Sequence, residues 1–419
     1  MSLIEKIKTD IKIYWPCLLF LLAIVGFVSK ALYNYPVAIM AILGLYKVIS
    51  NPSLLQNDRH IKMFTIAFGC LWLPLAISLP DAVNFTHSSQ TVFPYLRFLF
   101  AGIFIIDEVS RDQKRLDFIL AGIFFIVLFW CLDATLQFIA GKNLVGYPYE
   151  RGHITGMFYP RNTISHICSI LSGLFFFYIF IQLQQRKWML LGLVPLFFII
   201  LLSGRRAAWI MLALSSFGFL IYFYLASQNK KQVLLIAGTI TTLIAVVLTS
   251  TIMFHKPTNH RFKVTLGLFT GEYEQINKAT AIRLPIWETS VEVVKSNFIN
   301  GIGPRGFRHI YQQYSEKDNY FHKSSQTHPH LLFMEILTET GIIGLAGYLL
   351  MIYLLIRIWR QHDKLAVFPY LLPVLVALFP LNAHMAFYGS IWSSMLWLLI
   401  MLLFCHLRLI QVNDTTPIK

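Results

Sequence analysis

The sequence has 419 residues, of which 56% are hydrophobic and only 13% are charged. Soluble domains carry about 45–50% apolar and about 25% charged residues. The apolar residues also form long blocks, such as 190–202 and 343–356, rather than one-faced or alternating stripes. These properties exclude a cytosolic enzyme, a secreted domain and a disordered scaffold. They predict an all-α polytopic membrane protein.

The net charge is +15, from 35 Lys+Arg against 20 Asp+Glu. A soluble protein with this charge would suggest a nucleic-acid partner, but in a membrane protein basic residues chiefly hold cytoplasmic loops in place. We therefore expect no nucleic acid. The basic N-terminus has no small-residue cleavage signature and is expected to be a retained anchor. The five cysteines lie in apolar blocks without metal-ligand spacing, so we expect them to be packing residues: Cys17, Cys70, Cys131, Cys168 and Cys405.

About twelve apolar stretches have the length that crosses a bilayer as a helix. The Lys and Arg residues of the short loops fall on alternate sides, and the loops at 81–91 and 384–389 contain none. This alternation predicts that both termini are cytoplasmic and that the number of spans is even. The predicted spans are 13–29, 31–49, 62–80, 92–108, 116–140, 163–184, 188–203, 206–226, 232–254, 331–357, 365–383 and 390–411.

The chain therefore divides into helices 1–9 in 1–254, a large periplasmic loop at 255–330, and helices 10–12 with a short cytoplasmic tail in 331–419. The loop holds ten Lys+Arg against six Asp+Glu. Long loops are exempt from the orientation rule, so this charge needs another reason, and we interpret part of it as a periplasmic anion site. In the loop, 283–296 predicts an amphipathic helix with one face formed by Leu284, Trp287, Val291 and Val294.

Two arginines, Arg205 and Arg206, lie at the predicted break between two spans, on the outer side. Arginines at a boundary can simply extend to the interface. However, the orientation rule disfavours cations on this side, and a guanidinium offers a rigid fork of donors for phosphate oxygens. Arg283 opens the loop helix, where the dipole disfavours a cation unless an anion binds and uses the backbone donors too. The alternative is a solvated loop arginine.

Two histidines, His328 and His330, lie where the long loop enters the next span. Histidine is the usual general base near neutral pH. Glu335 and Glu339 follow on one face of that helix, and carboxylates at membrane depth are functional candidates. One of them could orient the histidine. No HExxH spacing occurs, so a metal is not expected. Outward-facing arginines and a histidine suit displacement at a lipid diphosphate.

These residues resemble the motifs of the O-antigen ligase and polymerase superfamily of bacterial envelopes. SGRRAAW at 203–209 is similar to the family's outer arginine motif, with Arg206 in the best register and Arg205 as the alternative. Arg283, Leu284 and Trp287 with the turn at 301–307 resemble R-L-x-x-W and G-x-G-P-x-x-F. The segment 328–345 is similar to H-x-H-N followed by E-x-G-x-x-G-L, and 151–162 to R-x-x-G-x-F-x-x-P-N.

The resemblance implies a metal-independent, cofactor-free, inverting glycosyltransferase with a GT-C-like architecture. Its donor would be an undecaprenyl-diphosphate-linked glycan, and its acceptor lipid A–core, in lipopolysaccharide biosynthesis at the Gram-negative inner membrane. His330 would be the base, with His328 as the alternative because Leu331 replaces the usual Asn. Trp287 and Glu335 would support the histidine. The implied donor-binding residues are Arg206, Arg205, Arg283, Arg161 and Arg151.

Two other functions are compatible with the sequence. A repeat-unit polymerase of the same superfamily shares donor, site and architecture with the ligase. The short C-terminal end favours a ligase over longer protein-glycosylating relatives. A lipid-anion transporter or flippase would carry charges within spans, as Arg97 and Asp133 are here, but the remaining candidates gather at one face rather than at the midplane.

Overall fold

A computed structural model describes residues 3–150, 153–383 and 385–415 of the chain. In this part the regular structure is helical, with no strand, which confirms the predicted all-α fold. The α-helices are α1 (Leu3–Val25), α2 (Asn34–Ser50), α3 (Ser53–Asn57), α4 (Arg59–Ile77), α5 (Phe85–Tyr95), α6 (Arg97–Val109), α7 (Gln113–Ala140), α8 (Ile164–Gln182), α9 (Leu193–Leu202), α10 (Arg206–Ala226), α11 (Lys230–Phe254), α12 (Lys256–Thr265), α13 (Tyr273–Ala279), α14 (Leu284–Ser296), α15 (Phe307–Tyr314), α16 (Leu332–Gln361), α17 (Lys364–Ala377) and α18 (Ser390–Thr415).

Each of the twelve predicted spans coincides for most of its length with a helix of this series, and 92–108 also includes the last turn of α5. Among the described residues, six helices are long and apolar enough to cross a membrane: α4, α7, α8, α10, α16 and α18. Others, such as α2 and α17, are apolar but shorter. The predicted break after the seventh span is real, because α9 ends at Leu202 and α10 begins at Arg206. The five cysteines are all buried, as expected for packing residues.

Partly buried ion pairs connect several helices at one end of the bundle. Arg408 of α18 pairs with Asp58 before α4 at 2.8 Å and with Asp107 of α6 at 3.2 Å. Lys47 of α2 pairs with Glu108 at 2.5 Å. These pairs sit at the ends of the helices that we predict to be cytoplasmic. The long loop lies at the other end, which we call the loop face.

The segment 255–330 folds into α12, α13, α14 and α15, with a small core of its own around Val293 and Phe307. The prediction of the apolar face of α14 is wrong, because the helix buries a neighbouring face. Its buried residues are Pro285, Ile286, Thr289, Ser290 and Val293, whereas Val291 is exposed. The hydroxyls of Thr289 and Ser290 can be buried because each donates to a backbone carbonyl one turn earlier, at 2.8 and 2.7 Å.

The turn after α14 docks into a break in α16. Gly341 lies inside this helix with φ 63° and ψ −159°, a conformation that only glycine adopts readily. The backbone N–H of Ile342 donates to Phe298 at 2.8 Å, and that of Ile302 donates to Thr338 at 3.0 Å. The loop and the membrane helix are therefore joined by backbone hydrogen bonds across this break.

We expect Gly341→Ala to destabilise the protein. A Cβ at this position would lie 2.2 Å from the Ile299 carbonyl oxygen, and the positive φ adds strain of about 1–3 kcal/mol. Thermal unfolding of the purified protein in detergent should show a lower Tm. Gly238→Ala in α11 is the control, because a Cβ there meets nothing within 4 Å. An equal Tm for the two variants would contradict the docking described above.

Candidate active site

The break between α9 and α10 gathers basic side chains at the loop face. Gly204 has φ +62°, and a Cβ on it would lie 2.4 Å from Nη1 of Arg261. The absence of that atom lets Arg261, which comes from α12, donate to the Ser203 carbonyl at 2.7 Å. The glycine of the SGRR motif therefore brings a loop arginine against the start of α10, beside Arg205 and Arg206.

The segment before α8 adds polar partners to this cluster. The side chain of Asn162 lies 3.1 Å from His153 Nδ1. In the amide orientation that satisfies its neighbours, its oxygen accepts from Arg205 Nη2 at 3.0 Å. His153 also lies 3.5 Å from Arg261 Nη2. Asn162 thus holds Arg205 in place through an amide oxygen rather than a carboxylate.

Arg283 joins the cluster from the start of α14. Burial lowers the pKa of Arg283 to about 10, and the nearby charges of Arg206 and Arg205 lower it as well. Burial, followed by the charge of Arg261, lowers the pKa of Arg205. These shifts reflect like charges held together in partly desolvated surroundings. Binding of an anion would relieve the repulsion.

The expected backbone donors at the start of α14 are not available, so this part of the prediction is wrong. The Leu284 N–H donates to Asn277 Oδ1 at 3.3 Å, and Pro285 has no N–H. The Ile286 N–H donates to the Arg283 carbonyl at 3.0 Å. The guanidinium of Arg283 is therefore the side-chain group that can meet a ligand at this helix end.

The cluster has unused donor capacity. Nη1 of Arg206 is buried and has no hydrogen-bond partner among the residues that the structure describes. Among the described residues, no carboxylate forms an ion pair with any of the four arginines of the cluster, which are Arg205, Arg206, Arg261 and Arg283. A buried donor without an acceptor costs about 1–3 kcal/mol. A multiply charged anion such as a diphosphate would satisfy it.

A hydrogen bond from α14 connects the segment of the two histidines to the helix that follows Arg283. Trp287, one turn after Arg283, donates its indole N–H to the carbonyl of Pro329 at 3.1 Å. Pro329 stands between the two histidines, whose rings contact each other with centroids 3.9 Å apart. Four residues of helix rise by about 6 Å. One turn of α14 therefore carries an arginine of the cluster and the anchor of the histidine segment.

The two histidines differ in their surroundings. Nδ1 of His328 lies 2.9 Å from Thr327 Oγ1, and the side chain is buried. His330 is half-buried and has φ 55°, in the left-handed region. A non-glycine residue at positive φ is uncommon and typical of constrained positions. The backbone thus turns sharply at His330, which is the more exposed residue of the two.

The two glutamates of α16, Glu335 and Glu339, are fully buried and accept hydrogen bonds from backbone N–H groups. Glu335 accepts the Tyr388 N–H at 3.3 Å, and Glu339 accepts the Arg305 N–H at 2.7 Å. Glu335 therefore ties the start of α16 to the segment before α18. Glu339 fixes the turn at 301–307 on α16. That Glu335 orients a histidine stays a prediction.

Arg161 takes no part in the hydrogen bonds of the arginine cluster. Its Nη2 donates to the Phe27 carbonyl at 2.9 Å, and its Nη1 is buried with no hydrogen-bond partner in the described part of the chain. Arg151 lies outside the described residues. Among the described residues, no group of three or more His, Cys, Asp or Glu lies close enough to hold a metal ion.

Sequence reasoning missed Arg261, His153 and Asn162. Arg261 belongs to a basic stretch of the long loop, HRFK, in which nothing distinguishes it from solvated cations. Asn162 ends the motif at 151–162, but its partner Arg205 is 43 positions away, counting from 162 to 205. Only packing of α12 and the 142–162 segment onto the same helix end brings them together.

Comparison with known proteins supports the resemblance. A family model described as O-antigen ligase matches residues 191–349. This range contains the arginines of α10, α12 and α14, the histidine pair and both buried glutamates. The match confirms the resemblance to the O-antigen ligase and polymerase superfamily and agrees with a polytopic membrane fold. No curated protein sequence matches the chain.

Proposed function

We propose that this chain, with its O-antigen ligase domain match at 191–349, is an O-antigen ligase. It transfers a glycan from an undecaprenyl-diphosphate carrier to a hydroxyl of lipid A–core. The reaction needs neither a metal nor a cofactor, and it inverts the anomeric carbon. The protein acts in the inner membrane of a Gram-negative bacterium, with both termini in the cytoplasm and the loop face in the periplasm.

One observation carries the proposal. The same turn of α14 bears Arg283, in the arginine cluster, and Trp287, which holds the carbonyl between the two histidines at 3.1 Å. An anion site and a potential general base are thereby adjacent. This pairing suits a reaction in which a diphosphate leaves while a hydroxyl loses its proton.

The chemistry divides between the two groups. The acceptor hydroxyl oxygen bonds to the anomeric carbon, the bond from that carbon to the diphosphate oxygen breaks, and the hydroxyl proton passes to His330 or His328. Arg206, Arg205 and Arg283, joined by Arg261, stabilise the charge that develops on the leaving diphosphate. Attack from the side opposite the leaving group inverts the anomeric carbon. The activated bond comes with the donor, so no nucleotide is consumed.

A repeat-unit polymerase is the second candidate, because it belongs to the same superfamily and uses the same kind of donor. It would use the same arginines and histidine but a second carrier-linked glycan as acceptor.

A transporter fits the positions of Arg97 and Asp133 less well. Asp133 accepts from the Asn143 amide and the Leu144 N–H, both at 3.0 Å. Its carboxylate therefore caps the loop after α7 instead of facing a path through the bundle. Arg97 begins α6 and donates to Ser390 at the start of α18, at 2.8 Å, so it lies at a helix end rather than at mid-membrane.

The test uses purified protein with a carrier-linked glycan and lipid A–core. Formation of a core-linked glycan without nucleotide and in the presence of a chelator is the expected result. Elongation of the glycan on its carrier, without transfer to the core, would identify the polymerase instead. Absence of both products, with donor consumed by neither route, would contradict glycosyl transfer.

A further inference from the structure

A second basic site lies at the loop face, apart from the arginine cluster. A cavity of about 190 Å³ opens between α5, the start of α6, the turn at 301–307 and the start of α18. Arg97 and Arg305 line it together with polar side chains of Gln90, Thr91 and Ser390. A water molecule occupies about 30 Å³ in the liquid, so the cavity has room for a phosphate group.

The two guanidiniums in this cavity form no ion pair with a carboxylate of the described residues, although the buried carboxyls of Glu339 and Glu335 lie near Arg305. Glu339 is engaged by the Arg305 backbone N–H at 2.7 Å, and it is fully buried in α16. Nε of Arg97 is buried with no hydrogen-bond partner among these residues. Two cations therefore line one small space, and a buried donor without a partner among the described residues belongs to one of them.

The contacts of Arg97 leave part of its guanidinium available. Nη2 donates to Ser390 Oγ at 2.8 Å, which fixes the side chain against the start of α18. The guanidinium also lies 4.6 Å from the ring centroid of Phe98, a distance that allows a cation–π contact. Arg97 is therefore held in one orientation before any ligand arrives, which lowers the entropy cost of binding.

The surrounding helix ends favour a negative charge. The N-terminus of the 26-residue helix α18 begins at Ser390, on the wall of the cavity. Its first backbone N–H groups and its dipole attract anions. Arg308, on α15, adds charge nearby: burial, followed by the charge of Arg305, lowers the pKa of Arg308.

We propose that the Arg97–Arg305 cavity is a second anion site that binds a phosphate group. It is separate from the cluster around Arg206 and Arg283, and the proposed transfer reaction does not use it. The phosphate can belong to a membrane lipid headgroup or to a soluble phosphate-bearing molecule. Both present the same oxygens to the two guanidiniums.

The experiment first weakens the other site by changing two of its four arginines. In an Arg206→Gln/Arg283→Gln background, the purified full-length chain is titrated with inorganic phosphate, and Tm is followed. The same protein in nanodiscs of phosphatidylcholine, with or without phosphatidylglycerol, is analysed by native mass spectrometry for retained phosphatidylglycerol. The further variants are Arg97→Gln, Arg305→Gln and, as a control of equal charge change on an exposed loop lysine, Lys317→Gln.

We expect both Arg97→Gln and Arg305→Gln to weaken binding at least about tenfold, the scale of one lost charge-assisted hydrogen bond, whereas Lys317→Gln leaves it unchanged. Binding of inorganic phosphate identifies a soluble ligand as sufficient, and retention of phosphatidylglycerol alone identifies a headgroup. Arg305→Gln keeps the backbone bond to Glu339, so its folding is protected. No binding in the background protein, or equal binding in all three variants, would overturn the proposal.

Discussion

His330→Ala should lower the rate of glycan transfer by about 100- to 10,000-fold, the usual contribution of a general base. His330 is half-buried, whereas His328 is buried and its Nδ1 lies 2.9 Å from Thr327 Oγ1. Transfer from a carrier-linked donor to lipid A–core should be measured under saturating substrates. The loss is expected in kcat, because a base acts on the acceptor after both substrates are bound.

Three further variants sharpen this prediction. His260→Ala, at an exposed histidine of the same loop, should leave the rate unchanged. Trp287→Phe keeps an aromatic ring but removes the bond to Pro329 at 3.1 Å, so it should cause a smaller loss than His330→Ala. If His330→Ala and His328→Ala both kept the full rate, neither histidine could be the base.

Arg206→Ala and Arg283→Ala should each weaken the use of the donor by about 1.5–3 kcal/mol, the scale of hydrogen bonds to charged groups. This corresponds to a loss of about 10- to 150-fold in kcat/KM. Arg206 carries a buried donor without a partner among the described residues, and the Arg283 guanidinium is the group left at its helix end. Arg261→Ala should behave similarly, although the sequence did not single it out.

The matched control is Lys323→Ala, which removes one positive charge from an exposed position of the same loop. It should leave kcat/KM unchanged, since an exposed cation contributes little beyond long-range attraction. The double variant Arg206→Ala/Arg283→Ala should lose less than the sum of the single losses, because both side chains contact one anion. Unchanged kinetics in the single variants would remove the basis for a diphosphate site.

Much of the fold followed from hydropathy. Each predicted span contains a helix, and the break at 203–206 was found because polar and charged residues interrupt two long apolar runs. The prediction of the buried face of α14 was wrong because it also relied on apolar character alone. Apolar character marked Val291 and Val294, whereas the helix buries Thr289 and Ser290, whose hydroxyls are satisfied by carbonyls of the helix itself.

The sequence by itself determined the helical class, the break that holds Arg205 and Arg206, and the motifs that contain Arg283, His328 and His330. These depend on local composition and on residues close together in the chain. The tertiary structure decided which distant residues meet: Arg261 with Ser203, Trp287 with Pro329, and Arg97 with Ser390. Such contacts depend on how helices pack, and their free energy comes from burial and hydrogen bonds between segments that local patterns do not relate.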